Sequence, residues 1–172
     1  MLHRRGFILG GVTVLLGSVP CITVTAAKLP QPAARVLLSV TGAIEHTNAR
    51  GLAEFDRVML EQLGIDRLVT WTPWTKGETV FDGVLARRLM EAVGARGSEV
   101  LAEALNDFRS VIPIADFDRY DVLLAMTMNG ERLRVRNKGP IWIVYPWSGH
   151  PELDDFATRE KSVWQLRTLQ VR

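Results

Sequence analysis

An Asn129-Gly130 pair stands between two strand-like segments, the apolar Val122–Met128 and the alternating Glu131–Val135, and it narrows the fold more than any other local feature. A two-residue type I′ turn needs positive φ at both central positions, and Asn-Gly adopts it at least cost, so the pair predicts a tight antiparallel hairpin. A lone hairpin is marginal in water and must be covered by further strands or a helix. The chain offers such partners. Arg35–Ile44 reads as a strand with Val36, Leu38 and Val40 on one face, and Asp66–Trp71, Val100–Leu105, Arg109–Ile114, Ile141–Tyr145 and Trp164–Val171 read as further strands. Helical spacing appears over Leu52–Leu63, where Phe55, Met59 and Leu63 align ahead of Gly64, and over Val84–Val93, closed by Gly94. Ala115–Tyr120 reads as one helical turn with Asp116 as its cap, and Pro151–Phe156 as the start of a polar stretch. The expectation is a single α+β domain, dominated by strands, with two substantial helices.

Residues 1–27 stand apart from this pattern. Arg4-Arg5 precedes an apolar run, Gly6–Val19, and the small residues around Val24–Ala27 suit a signal peptidase. The run is too short for a membrane span, and no second one follows. Arg4-Arg5-Gly6-Phe7-Ile8-Leu9 also resembles a twin-arginine signal. The expectation is therefore an exported chain, 28–172 after cleavage, in the periplasm, with no span left in the membrane. Removing Arg4 and Arg5 from the 21 basic residues leaves 19, against 19 acidic ones. A near-neutral domain argues against a nucleic-acid binder. Cleavage also removes Cys21, the one cysteine, leaving no disulfide, thiolate nucleophile or thiolate metal ligand.

Other chemistries are missing too. His46 and His150 are the histidines left after cleavage, and Ser148 beside His150 does not make a triad at that spacing. No metal-binding spacing of histidines occurs, and Gly94-Ala95-Arg96-Gly97 reads as a helix stop, not a phosphate cradle. Arg119 and Lys138 read as plain surface charges.

Thr70–Gly83 is unusual in the opposite sense. It sets Trp71, Trp74 and several threonines beside a strand end, interrupted by Pro73 and by Lys76-Gly77. Trp142, Trp147 and Trp164 also fall in or beside strand ends or loops. Indoles so placed either cap a core or line a slot for a flat heterocycle. Asn106, Asp107 and Arg159 are the polar candidates for such a slot.

The order of motifs from about Val36 to Val171 resembles the oxidoreductase molybdopterin-binding domain, the sulfite-oxidase fold. The resemblance is carried by Phe81-Asp82-Gly83-Val84-Leu85 with Leu89, by Ala104-Leu105-Asn106-Asp107-Phe108 with Ile112-Pro113, by Asp121–Asn129 and Gly139-Pro140 through Tyr145-Pro146, and by Ser162-Val163-Trp164-Gln165-Leu166. In the enzymes of that family a cysteine thiolate binds molybdenum near the place of Thr70-Trp71-Thr72, where this chain has none. The chain is similar to a subgroup of short exported pterin-binding regulators. That resemblance implies a free, reduced pterin bound without metal, no oxidoreductase activity, and docking on the periplasmic domain of a membrane-anchored enzyme of cyclic di-GMP metabolism. On this reading Trp74 or Trp164 stacks on the pterin, Asp107 or Asp116 accepts N–H bonds from its amino edge, and Asn106, Thr72 and Arg159 supply further polar contacts. The alternatives are a small molybdopterin-dependent oxidoreductase of the sulfite-oxidase type and an adaptor domain whose old pocket is filled.

Overall fold

The computed structural model describes residues 29–172, so the leader expected at 1–27 lies outside the described residues. The predicted hairpin is present: β7 (Leu123–Met128) turns into β8 (Glu131–Arg132) through Asn129 at φ 51° and Gly130 at φ 80°. Asn129 also holds β4 (Thr79–Leu85): its backbone N–H donates to the Val80 carbonyl at 2.7 Å, and its side-chain oxygen accepts the Val80 N–H at 3.1 Å. The expected second arm is shorter than Glu131–Val135, because Val135–Asn137 turns off in a 3-10 coil.

Two sheets form around the core. One orders β2 (Ala53–Phe55), β1 (Leu38–Gly42), β10 (Leu166–Val171), β5 (Glu99–Ala104) and β6 (Arg109–Pro113), with only β1 and β10 running parallel. The other is antiparallel, in the order β3 (Asp66–Thr70), β4, β7, β8, with β9 (Trp142–Val144) also paired to β7. Val100, Ala102 and Ala104 of β5 alternate with half-exposed neighbours, the signature of a strand with one face on the core. β7 buries Leu123, Leu124, Ala125 and Met126 in succession, as a strand covered on both faces must. α2 (Ala86–Val93) adds Leu89, Met90 and Val93, and ends on Gly94 at φ 60°, the left-handed cap glycine accepts readily.

Several boundaries differ from the sequence reading. Leu52–Leu63 is not one helix: Ala53–Phe55 pairs with β1, and α1 covers only Arg57–Gln62. The break is Asp56, whose Oδ1 accepts the Met59 N–H at 2.9 Å as N-cap while Oδ2 accepts the N–H groups of Ala33 and Ala34. Val84 and Leu85 finish β4 rather than begin a helix. Gly83 explains why a strand survives there: a Cβ would stand 2.1 Å from the Leu124 carbonyl oxygen, at a register shift between β4 and β7. Asp116 caps nothing. α3 (Ile114–Arg119) starts after Pro113 without a side-chain cap, and Asp116 lies inside its first turn. Four α-helices are present among the described residues, not two substantial ones; the unforeseen α4 (Phe156–Lys161) is capped by Asp155, whose Oδ1 accepts the Thr158 N–H at 2.6 Å. None of these helices is long and apolar enough to cross a membrane.

Candidate functional site

The loop after β3 is built by its threonines. Thr72, 2% exposed, shares a 3.0 Å hydroxyl contact with Thr75, and its Oγ1 accepts the Trp74 N–H at 3.2 Å. Thr70 and Ser148 make a reciprocal latch: the Ser148 N–H donates to Thr70 Oγ1 at 2.9 Å, and the Trp71 N–H donates to Ser148 Oγ at 3.1 Å. The loop is thereby fixed to the turn Trp147–Gly149, and Trp74 is presented to its neighbours.

Those neighbours are other indoles. Trp74 stands edge-on to Trp142 at 5.9 Å, to Trp147 at 6.0 Å and to Trp164 at 5.3 Å between ring centroids. Trp142 and Trp147 are core residues: both are fully buried, and their Nε1 groups donate to the carbonyls of Ser162 and Leu153. Trp74 and Trp164 are only partly buried. Their planes meet at 82°, making a corner of two aromatic walls.

A cavity of about 240 Å³ opens on this corner, lined by Trp74, Trp164, Asn106 and Arg159, and also by Phe108, Glu160, Ser162 and Val163. Four predicted residues from the β3–β4 loop, the β5–β6 turn, α4 and the approach to β10 thus converge on one space. A second cavity of about 270 Å³ is also lined by Trp74, together with Thr75, Met128, Arg136, Asn137, Lys138 and Trp142. Lys138 is no plain surface charge: its Nζ stands 4.9 Å from the Trp164 ring centroid and 5.5 Å from that of Trp142.

The remaining predicted residues lie elsewhere. Asp107, a polar candidate for the slot, does not line the cavity. It occupies the left-handed position of the β5–β6 turn at φ 64°, its side chain is 79% exposed, and Arg167 lies 3.7 Å away. Asp116 is committed: Tyr145 Oη donates to its Oδ2 at 2.9 Å and Lys161 Nζ at 2.6 Å. Burial, and then the Asp116 carboxylate, push the Tyr145 phenol far above its ordinary value, so it stays a donor. Thr72 positions Trp74 from behind. Arg159 reaches the cavity but also pairs with Asp154 at 2.7 Å. Glu160 was missed because α4 has no apolar period to announce it, and Phe108 because nothing in the sequence says on which side of the turn it falls.

The family model for the oxidoreductase molybdopterin binding domain matches residues 37–149. The chain belongs to this family. The fold agrees: the sulfane dehydrogenase SoxCD from Paracoccus pantotrophus superposes with a TM-score of 0.59 at 19% identity, over 78% of this chain and 37% of that one. The chain therefore spans well under half of that protein. No curated protein matches it. Membership of the molybdopterin-binding family implies a pterin group carrying a metal, and the two parts fit this chain differently. The indole corner suits a flat ring. The end of β3 offers a metal no thiolate, and its hydroxyls are engaged: Thr70 Oγ1 with the Ser148 N–H and the Trp71 carbonyl, Thr72 Oγ1 with Thr75 and Trp74. Among the described residues no three His, Asp or Glu side chains gather as a ligand set.

Proposed function

We propose that this molybdopterin-binding-type domain holds a free, reduced pterin in the Trp74–Trp164 corner, without metal and without catalysing a redox reaction. The observation that carries the reading is the convergence of Trp74, Trp164, Asn106 and Arg159 on one cavity of about 240 Å³. A flat bicycle stacks on one indole and sets its edge against the other, the two arrangements aromatic rings favour. Glu160, the one acid lining that cavity, takes the part expected of Asp107 or Asp116 and accepts N–H bonds from the 2-amino edge. Asn106 and Arg159 serve the remaining polar atoms. Lys138, whose Nζ stands 4.9 Å from the Trp164 ring centroid, makes that indole more attractive to a ring with electron-rich substituents.

The regulatory part of the proposal rests on the resemblance to short exported regulators: the loaded domain, in the periplasm, docks on the periplasmic part of a membrane-anchored cyclic di-GMP enzyme. Analysis of protein purified from its own periplasm tests the ligand. Released small molecules are expected to show pterin fluorescence and mass near one per chain, with molybdenum far below one. Stoichiometric molybdenum, or sulfite or sulfoxide turnover, would overturn the reading in favour of an oxidoreductase.

A further inference from the structure

Most arginines of this domain outside one segment face a carboxylate, as Arg67 faces Asp82 and Arg159 faces Asp154. The segment after the hairpin turn breaks that habit. Arg132, Arg134 and Arg136 are all exposed, and none has a carboxylate within ion-pair distance among the described residues. They line a shallow cleft of about 380 Å³ with Asn137 and Glu131, the one acid there. Arg132 ends the edge strand β8 and Arg134 is still extended, so the two project from one face about 7 Å apart. Between Arg134 and Arg136, Val135 is 49% exposed, an apolar tip in the middle of the charges. Inward-facing Leu133, 4% exposed, anchors the segment to the core.

We propose that this strip is an electrostatic docking face for an anionic lipid bilayer. Charge complementarity selects the partner's sign: Arg132, Arg134 and Arg136, close together in sequence, exposed and without an ion pair among the described residues, make this edge locally positive, so attraction to an anionic surface also orients the domain. The form of the strip selects a surface over a discrete anion. Its guanidinium groups sit on long, exposed side chains with no buried donor aimed at a common point, which suits a diffuse sheet of charge rather than one chelated group. A fluid headgroup layer also accommodates the Val135 tip without a matching pocket. Arg136 and Asn137 are shared with the second cavity beside Trp74, so docking sets that second cavity close to the membrane plane. The inference stands independently of what either cavity binds.

Co-sedimentation of the purified protein with vesicles tests it. Vesicles of phosphatidylcholine containing about a third phosphatidylglycerol should pellet the protein at low salt, and pure phosphatidylcholine vesicles should not. Binding should vanish near 0.5 M salt, where the screening length falls to about 4 Å. Each cation near such a surface contributes about a factor of five, so Arg132→Gln with Arg134→Gln should weaken binding about 10- to 30-fold. Arg132→Lys with Arg134→Lys should keep it, and melting temperatures should be unchanged throughout, since neither side chain is packed. Equal binding to neutral vesicles, no binding to the anionic ones, or a doubly neutralised variant that binds like wild type would overturn the proposal. So would complete competition by millimolar inorganic phosphate, which would make the strip a small-anion site, or binding to an acidic protein surface with none to vesicles.

Discussion

At the residue scale, the sequence points to Asp107, while the acid that lines the cavity is Glu160. Asp107 follows Asn106 in a motif-bearing turn, which draws attention to it; yet the turn places it in the left-handed region, facing water. Asn occupies that backbone region as readily as Asp, and an exposed pair with Arg167 contributes little. Asp107→Asn is therefore expected to leave both ligand affinity and melting unchanged. Glu160→Gln should weaken pterin binding about tenfold, the low end for a charge-assisted hydrogen bond in a wet site, with melting unchanged. Titrating both variants side by side checks this, and a loss with Asp107→Asn but not Glu160→Gln would restore the sequence reading. Lys138 was illegible for a similar reason: its role lies in the two indoles it covers, and nothing in its sequence neighbourhood marks it.

At the scale of elements, strands were readable wherever one face is buried and the other wet, as in β5, and the hairpin was readable because Asn129-Gly130 carries its own backbone signal. Two kinds of element were not. α4 buries a polar residue, Thr158, and leaves Phe156 76% exposed, so its periodicity is inverted. The β4–α2 junction was hidden because Val84 and Leu85 fit a helix and a strand equally well, and only the close approach at Gly83 decides. Gly83→Ala should consequently destabilise by roughly 1–3 kcal/mol, read from chemical denaturation, because the clash is with backbone that cannot step aside. An innocuous Gly83→Ala would contradict the register described for β4 and β7. Asp56 supplies a pH test of α1. The Met59 N–H, foremost, holds its carboxyl below the ordinary aspartate range. Its stabilising contribution is therefore complete above the unfolded value of about 3.9 and is lost as pH falls through the lower folded one. Melting temperature should drop between about pH 5 and about pH 2, and the drop should be smaller in Asp56→Asn, which has no such proton to take up.

At the scale of the whole molecule, the fold class and the family were legible because motif order survives where single motifs are weak. The site was legible only in part, since a cavity formed from the β3–β4 loop, the β5–β6 turn, α4 and the approach to β10 depends on where those segments meet. The function proposed for the molecule turns on the Trp74–Trp164 corner binding a pterin without metal. Calorimetric titration of a tetrahydropterin into metal-free protein, wild type beside Trp74→Ala and Trp164→Ala, tests it most directly, with thermal melts to separate binding from folding. One ligand per chain is predicted for wild type, with affinity about 10- to 100-fold weaker in each variant at preserved fold, as stacking on one aromatic face implies. No heat of binding in the wild type, or equal affinity in all three folded proteins, would contradict the account and leave these indoles as core packing.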